Sequence, residues 1–161
     1  AAGDDDRNFY VWGAMGGGCM VALGLALAQP ARQVLAFVGD GEMMMGLGAP
    51  ATIGVRAPSN LKIIVIDNEH YGETGMQPAH SGRGVDIAGI ARACGIADCA
   101  TLRSERELEE RIPGLYQPGL QCLVLKVAAA PEPSSLPPRD GPYLRSRFRE
   151  AVLGQGKGGH A

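Results

Sequence analysis

The sequence predicts an α/β fold with a doubly wound, mostly parallel sheet of about five or six strands and helices on both faces. Two apolar runs without alternation, at residues 34–38 and 61–66, are typical of strands that are buried on both faces. The stretch between them is long enough for a crossover helix, which makes the two strands parallel. Polar turn residues follow the runs, at Asp40 and at Asn68. Open α/β sheets bind ligands at the carboxyl edge, so we expect both residues near a ligand site.

The chain before the first of these strands divides into a polar end and a glycine-rich helix. Residues 1–8 are acidic and predict a solvated end, and residues 9–12 predict a short strand. A buried helix should follow and end near Pro30. The residues predicted to face inward from this helix are Met20, Leu23 and Leu27.

The connection between the two apolar runs predicts a crossover helix over residues 42–57. Gly46, Gly48 and Gly54 interrupt it, and each costs about 1 kcal/mol relative to Ala in a helix interior. We therefore expect a cofactor or a partner helix to pack closely at these glycines. Pro50 predicts a kink in this helix.

A long loop over residues 69–85 follows the second run and is rich in turn-forming residues. Connections of this length are more typical of active sites than of plain structure. Gln77 and His80 are candidates to face an anionic substrate, and Arg83 is a candidate to neutralise its acid group. A plain solvated loop is the alternative that these residues leave open.

The rest of the folded region alternates helices and strands. Asp86 predicts the N-cap of a helix that Gly95 ends, and Ser104 predicts the N-cap of a second, charged helix with a solvated face. Strands are predicted over residues 96–102 and 120–127.

The composition changes after residue 128. Prolines predict an extended arm, a short helix should follow, and the end from residue 154 should be disordered. The short helix carries an apolar stripe that must bury against something, formed by Leu144, Phe148 and Val152. The predicted divisions of the chain are a polar end at 1–8, a ligand-binding domain at 9–128, and an arm, helix and tail at 129–161.

Bulk properties exclude several classes of partner. The net charge of −2 over 161 residues gives no reason to expect nucleic acid or an anionic membrane. The four cysteines have no C-x-x-C spacing, so we expect reduced thiols and a cytoplasmic location. The longest apolar stretch, around residues 21–28, is too short to span a bilayer.

The polar residues at the two strand ends suit a hard cation. Asp40 and Asn68 offer one charged and one neutral oxygen, as Mg²⁺ prefers when it shares its ligands with phosphates and water. Gly39 and Gly41 allow a tight turn and the close approach of a bulky anion. The N–H groups that would face this anion are those of Gly41, Glu42 and Met43. The pattern predicts a Mg²⁺–diphosphate site, with an ordinary turn as the alternative.

These residues resemble a known signature. Gly39-Asp40-Gly41 followed by Asp67-Asn68 resembles the thiamine-diphosphate motif, in which a Gly-Asp-Gly precedes Asn-Asn at about this distance. The first Asn of that motif is Asp67 in this chain. The resemblance implies that Asp40 and the Asn68 side chain bind Mg²⁺ together with the main-chain carbonyl of His70.

The resemblance extends to the organic part of the cofactor. The run Trp12-Gly13-Ala14-Met15-Gly16 resembles the turn that holds the aminopyrimidine. It implies that the Gly13 carbonyl accepts from the 4′-amino group and that Met15 is the apolar wedge that bends the cofactor. Tyr71 is implied as a further cofactor-binding residue. Residues 8 to 127 are similar to the diphosphate-binding subunits of sulfopyruvate and phosphonopyruvate decarboxylases, with residues 71–77 and 85–91 fitting best.

The resemblance implies a function that this chain shares with a partner. It implies the diphosphate- and Mg²⁺-binding subunit of a thiamine-diphosphate-dependent decarboxylase that acts on a small 2-oxo acid. The catalytic glutamate would come from a pyrimidine-binding subunit or domain, and the candidates on this chain are Gln77 and His80. Two alternatives stay open at this point. They are the thiamine subunit of a 2-oxo-acid:ferredoxin oxidoreductase, and a non-catalytic subunit that kept the fold.

Overall fold

The computed structural model describes residues 3–129 and 136–154. Part of the predicted proline arm, at Pro131 and Pro133, and the tail beyond Gly154 lie outside these residues. The chain divides into two compact units. We call Ala14–Ala130 the sheet unit, and we call Ala1–Gly13 together with Pro131–Ala161 the terminal unit. The predicted functional division of the chain at residues 8 and 128 remains a prediction.

The helices and strands follow the α/β order that the sequence predicts. The strands are β1 (Val34–Gly39), β2 (Leu61–Asp67), β3 (His70–Tyr71), β4 (Gln77–Pro78), β5 (Asp98–Leu102) and β6 (Gln121–Lys126). The helices are α1 (Gly18–Ala28), α2 (Asp40–Met45), α3 (Ala49–Arg56), α4 (Ile87–Ala93), α5 (Glu105–Leu115) and α6 (Gly141–Leu153). Two short 3₁₀ turns lie in the loop after β2, at Gly72–Thr74 and Ser81–Arg83.

The main sheet is parallel and has the order β1-β2-β6-β5. This confirms the predicted fold class. The expected strand number is wrong, because within the described residues this sheet has 4 strands, and β3 and β4 form a separate antiparallel pair. The strand predicted at residues 9–12 is also absent from that part of the chain. There Phe9 packs against Phe148, with ring centroids 5.2 Å apart, and the Trp12 indole N–H donates to the Pro138 carbonyl at 3.0 Å.

The hydrophobic core lies on one face of the main sheet, beneath α1 to α4. The middle of β2 is buried throughout, as its apolar run predicts. For β1 that prediction is wrong, because buried and exposed residues alternate, and Phe37 is 64% exposed. Helix α5 lies on the other face, where Arg111 forms an ion pair with Asp98. Its exposed charged residues confirm the predicted solvated face.

The predicted inward face of α1 is partly wrong. Leu23 is buried, but Met20 and Leu27 are 41% and 43% exposed. The helix instead buries three small residues together with Leu23. The residues that it buries are Cys19, Ala22, Leu23 and Ala26.

The predicted crossover helix is two helices, α2 and α3, separated at Gly46 to Gly48. Pro50 does not kink a continuous helix but lies in the first turn of α3, where proline is well tolerated. The expected close packing occurs at Gly46, where an added Cβ would lie 2.2 Å from the Gly16 carbonyl oxygen. It also occurs at Gly54, where an added Cβ would lie 1.8 Å from the Cys94 carbonyl oxygen. Gly48 has open space instead.

The predicted caps of the two following helices are confirmed. The Asp86 side chain accepts from the N–H of Gly89 at 2.9 Å, and the Ser104 side chain accepts from the N–H of Glu107 at 3.3 Å. Both contacts are local in sequence, which is why the sequence alone could predict them.

In the terminal unit, α6 begins at a cap formed by Asp140, whose side chain accepts from the N–H of Tyr143 at 3.0 Å. Its Leu144 is buried, and Arg147 forms an ion pair with Asp4. None of the helices in the described ranges has the length and apolar character needed to cross a membrane.

Candidate functional site

Two buried aspartates meet at the carboxyl edge of the main sheet. Gly39 pairs with Ile66 in the parallel register of β1 and β2, so the next residues, Asp40 and Asp67, are neighbours. Asp40 begins α2 and is 3% exposed, while Asp67 ends β2 and is 1% exposed. Carboxylates are rarely this buried unless a cation or several hydrogen bonds compensate them.

Asp67 has such compensation. Its Oδ2 lies 2.8 Å from the Lys126 ammonium, and its Oδ1 accepts the N–H of Glu69 at 3.1 Å. Lys126 also donates to the Glu69 carboxylate at 2.5 Å. Partial burial lowers the pKa of Lys126, but the contacts with Asp67 and Glu69 outweigh that effect and raise it. Asp67 is therefore paired with a cation at the end of β6.

Ser81 connects the two aspartates. Its Oγ lies 2.9 Å from Asp40 Oδ2 and 2.8 Å from Asp67 Oδ1, and the residue is 8% exposed. The sequence analysis did not single out Ser81 or Lys126 as site residues. The departure of Asp67 from the Asn of the motif was the signal that could have pointed to them, because a buried carboxylate needs partners that an amide does not.

Asp40 lacks the compensation that Asp67 has. Among the described residues it has no cationic partner, and its Oδ1 accepts no hydrogen bond. Asn68 follows Asp67, and its Oδ1 accepts the N–H of His70 at 3.0 Å while retaining a second lone pair. With the His70 carbonyl, the predicted ligand set would be a carboxylate, an amide oxygen and a peptide oxygen. These are hard donors that fit Mg²⁺, so the residues present fit the implied metal.

Nitrogen and sulfur ligands do not cluster here. In residues 3–129 and 136–154 no group of three or more His, Cys, Asp or Glu side chains could hold a metal ion. The four cysteines, at positions 19, 94, 99 and 122, are free thiols. Burial, with a smaller effect from Glu42, raises the pKa of Cys19 to about 11, so this thiol is not a nucleophile near neutral pH.

The glycine turn beside Asp40 leaves room on one side and is covered on the other. Nothing lies within 4 Å of a Cβ added at Gly39, whereas a Cβ added at Gly41 would lie 2.5 Å from the Tyr71 ring. The Tyr71 hydroxyl in turn lies 3.0 Å from His80 Nδ1. The structure thus brings two residues together beside the turn. Tyr71 is a predicted cofactor-binding residue, and His80 is a candidate catalytic residue.

Glu42 joins the glycine turn beside Asp40 to the predicted wedge turn. Its two carboxylate oxygens accept the N–H groups of Gly16 at 2.7 Å and Gly18 at 2.8 Å. This contact fixes the turn that carries Met15 against the start of α2. The Met15 side chain is 53% exposed and available to a ligand. The sequence had predicted only a main-chain role for Glu42.

The other predicted site residues are less informative. Met43 is 2% exposed and places its side chain in the core, so only its N–H could serve an anion. Gly13 is the last residue of the terminal unit and has a φ of 66°. The Gln77 amide is engaged with Thr74, donating to its carbonyl at 2.7 Å and accepting from its hydroxyl at 2.9 Å. Arg83 is exposed.

The fold and the site define a class of α/β proteins that present a buried carboxylate and a glycine turn at the carboxyl edge of a parallel sheet. Comparison with known proteins identifies the family within this class. The chain belongs to the family described as "Thiamine pyrophosphate enzyme, C-terminal TPP binding domain", whose model matches residues 5–119. This confirms the resemblance drawn from the motif.

Named relatives refine the likeness. The chain is 36% identical over 153 residues to the sulfopyruvate decarboxylase subunit beta of Methanocaldococcus jannaschii, covering 92% of this chain and 79% of that protein. It is 46% identical over 92 residues to a phosphonopyruvate decarboxylase of Streptomyces viridochromogenes, covering 57% of this chain and 23% of that one.

Solved structures agree on the fold. A protein of Mycobacterium smegmatis described as a thiamin diphosphate-dependent enzyme superposes with a TM-score of 0.60 at 27% identity, over 73% of this chain. The benzoylformate decarboxylase of Polynucleobacter necessarius gives 0.59 at 20% identity over 76% of this chain, which supports the fold alone. This chain spans 23% and 25% of the length of those two proteins.

Proposed function

We propose that this chain is the diphosphate- and Mg²⁺-binding subunit of a thiamine-diphosphate-dependent 2-oxo-acid decarboxylase. One observation carries the proposal: in a chain of the thiamine pyrophosphate family, buried Asp40 keeps one oxygen without a partner among the described residues, beside Asn68, at the ends of adjacent parallel strands. The names of the relatives support a substrate of the sulfopyruvate or phosphonopyruvate type, which is a small 2-oxo acid with a second acid group.

Each predicted residue has a place in this proposal. Asp40, Asn68 and the His70 carbonyl hold Mg²⁺, which neutralises the diphosphate. The residues that approach the diphosphate are Gly39, Gly41, Glu42 and Met43, the last two through their N–H groups. The residues that contact the organic part are Gly13, Met15 and Tyr71. When bound, thiamine diphosphate supplies the electron sink for loss of CO₂ from the 2-oxo acid.

The substrate is expected to meet the loop between β2 and α4. His80 is positioned by its contact with Tyr71 and can hold or move a proton at Nδ1 or Nε2. Arg83, exposed nearby in sequence, would neutralise the second acid group. Gln77 would have to leave Thr74 before it could contact a substrate. We place the complex in the cytoplasm, as the free thiols suggest.

A pyrimidine-binding partner completes the proposal. Two relatives are named subunit beta, which supports an enzyme that is divided between two kinds of subunit. Two glutamates beside the site are already engaged, because Glu42 binds Gly16 and Gly18 and Glu69 binds Lys126, and Glu73 lies on the exposed loop. The activating glutamate would therefore come from the partner.

Calorimetry on the complex with the partner tests the metal assignment. Asp40→Ala and Asn68→Ala should each abolish Mg²⁺-dependent binding of thiamine diphosphate, because each removes one of few protein oxygens from the ion. Asp98→Ala is a matched control, since Asp98 begins β5 at the opposite edge of the sheet and should leave binding unchanged. Wild-type affinity in either site variant would refute the assignment. CO₂ release from sulfopyruvate and phosphonopyruvate, compared with pyruvate, tests the substrate class.

A further inference from the structure

Ser81 lies between two buried carboxylates but has only one proton to give. Its Oγ is within hydrogen-bond distance of Asp40 Oδ2, at 2.9 Å, and of Asp67 Oδ1, at 2.8 Å. A hydroxyl donates one hydrogen bond, so one of these two carboxylates goes without it. The other hydrogen-bond and ion-pair partners of each carboxylate decide which of the two accepts the Ser81 hydrogen bond.

The surroundings indicate that the Ser81 hydroxyl donates its hydrogen bond to Asp40. Asp67 already has the Lys126 ammonium on Oδ2 and the Glu69 N–H on Oδ1. For Asp40, Ser81 is the side-chain hydrogen-bond partner found in the described residues, and the carboxylate is 3% exposed. A buried carboxylate without any donor is costly, whereas Asp67 loses little if Ser81 turns away from it.

We propose that Ser81 is a positioning residue of the metal site. By donating to Oδ2 of Asp40, it fixes the carboxylate plane and leaves Oδ1 directed to the cation. Lys126 satisfies the Asp67 carboxylate, so the Ser81 hydroxyl remains available to donate to Asp40. This inference rests on the proposed function, because it assigns Ser81 a role toward the same Mg²⁺.

The same contact ties the long loop to the metal turn. Ser81 begins the second 3₁₀ turn of the loop, directly after His80, while Asp40 begins α2. The hydroxyl is thus a side-chain link between the loop that holds the substrate candidates and the ligand that holds the metal. Partners of metal ligands commonly change metal affinity about 10- to 100-fold when they are removed.

The test is the Mg²⁺ dependence of thiamine diphosphate binding by Ser81→Ala, measured by calorimetry on the complex with the partner. The Mg²⁺ concentration for half-maximal binding should rise about 10- to 100-fold. At saturating Mg²⁺ the cofactor affinity should return toward the wild-type value. Ser81→Thr keeps the hydroxyl and should recover most of the shift. Ser104→Ala also removes a serine hydroxyl, but from the exposed cap of α5, and should lower the melting temperature without changing the Mg²⁺ dependence.

The outcomes separate this inference from the proposed function. If the wild type and Asp40→Ala behave as expected but Ser81→Ala shifts the Mg²⁺ dependence less than about threefold, the role of Ser81 is refuted alone. Equal shifts in Ser81→Ala and Ser81→Thr would also refute it, because the hydroxyl would then not matter. If the wild-type complex shows no Mg²⁺-dependent binding, the proposed function fails and the inference falls with it.

Discussion

At the residue scale, two buried aspartates at the carboxyl edge of the main sheet differ in whether a cation compensates their charge. Asp67 is held by Lys126, whereas Asp40 has no cation among the described side chains. A protein that buries a carboxylate without a counter-charge loses stability unless a ligand supplies that charge. Asp67 thus has its counter-charge within the fold, while Asp40 fits the proposed ligand role.

The first prediction concerns that pair. Lys126→Met should lower the free energy of unfolding by about 3 kcal/mol, the lower end for a broken buried pair, because Lys126 is partly exposed while Asp67 is not. Urea unfolding without Mg²⁺ or cofactor measures the loss. Arg106→Met is the matched control, since its pair with Glu110 is exposed and should change stability by less than about 1 kcal/mol. Equal effects of both variants would contradict the compensation of Asp67.

Met15 gives the second prediction. Its side chain is 53% exposed, so Met15→Ala should change stability by less than about 0.5 kcal/mol. Mg²⁺ binding should stay largely intact, while the rate of the assembled enzyme should fall because the cofactor is no longer held in its reactive shape. Met43→Ala, at a core position that is 2% exposed, should instead cost about 2–5 kcal/mol. Loss of Mg²⁺ binding in Met15→Ala, or no change in rate, would argue against the wedge role.

At the element scale, the glycines of the crossover segment mark close contacts rather than flexibility. Gly54 on α3 faces the Cys94 carbonyl at the end of α4, and Gly46 faces the Gly16 carbonyl. The sequence predicted that a cofactor or a partner helix packs closely at these glycines. In the structure the neighbours are parts of this chain.

Gly54→Ala provides the third prediction. The new Cβ would lie 1.8 Å from a main-chain oxygen, so α3 and α4 must separate, at a cost of about 3 kcal/mol. Gly24→Ala is the control, because Gly24 is in the interior of α1 with nothing within 4 Å. That variant should gain up to about 1 kcal/mol through helix propensity. Thermal unfolding compares them, and a neutral Gly54→Ala would show that the two helices can move apart freely.

Local patterns explain which elements the sequence predicted. β2, the caps at Asp86 and Ser104, and the helix from Gly141 depend on residues near each other in the chain. The motif placed Asp40 and Asn68 at adjacent strand ends because parallel register follows from a crossover.

The remaining features depend on contacts that no local pattern contains. Lys62 lies inside the apolar run of β2, yet it is fully buried because its ammonium donates to the carbonyls of Gln117 and Gly119, at 2.8 and 2.5 Å. Burial lowers the pKa of Lys62, with a smaller opposing effect from Asp98.

The contacts of Ser81 with Asp40 and of Lys126 with Asp67 likewise join distant segments. Such partners become visible only when the strands are assembled.

At the scale of the whole molecule, we propose that the chain supplies one side of a shared reaction centre. Three acidic side chains near the glycine turn are committed to internal contacts, at Glu42, Asp67 and Glu69. Asp40 is proposed as a metal ligand, and Glu73 is exposed. The glutamates of α5 lie on an exposed helix. We therefore expect the carboxylate that activates the aminopyrimidine to come from a partner.

The last prediction is therefore that this chain on its own releases no CO₂ from 2-oxo acids. It should bind Mg²⁺ and diphosphate weakly, because the residues for that part are present, but the activating carboxylate should come from a pyrimidine-binding partner. That partner can be a separate subunit or another part of a longer polypeptide. The assay measures CO₂ release with this chain alone, the partner alone and the mixture, at saturating Mg²⁺ and thiamine diphosphate. Asp40→Ala in the mixture is the control for turnover that does not depend on this chain. Turnover by the isolated chain near the rate of the mixture would contradict the shared active site, because it would require the activating group to lie on this chain.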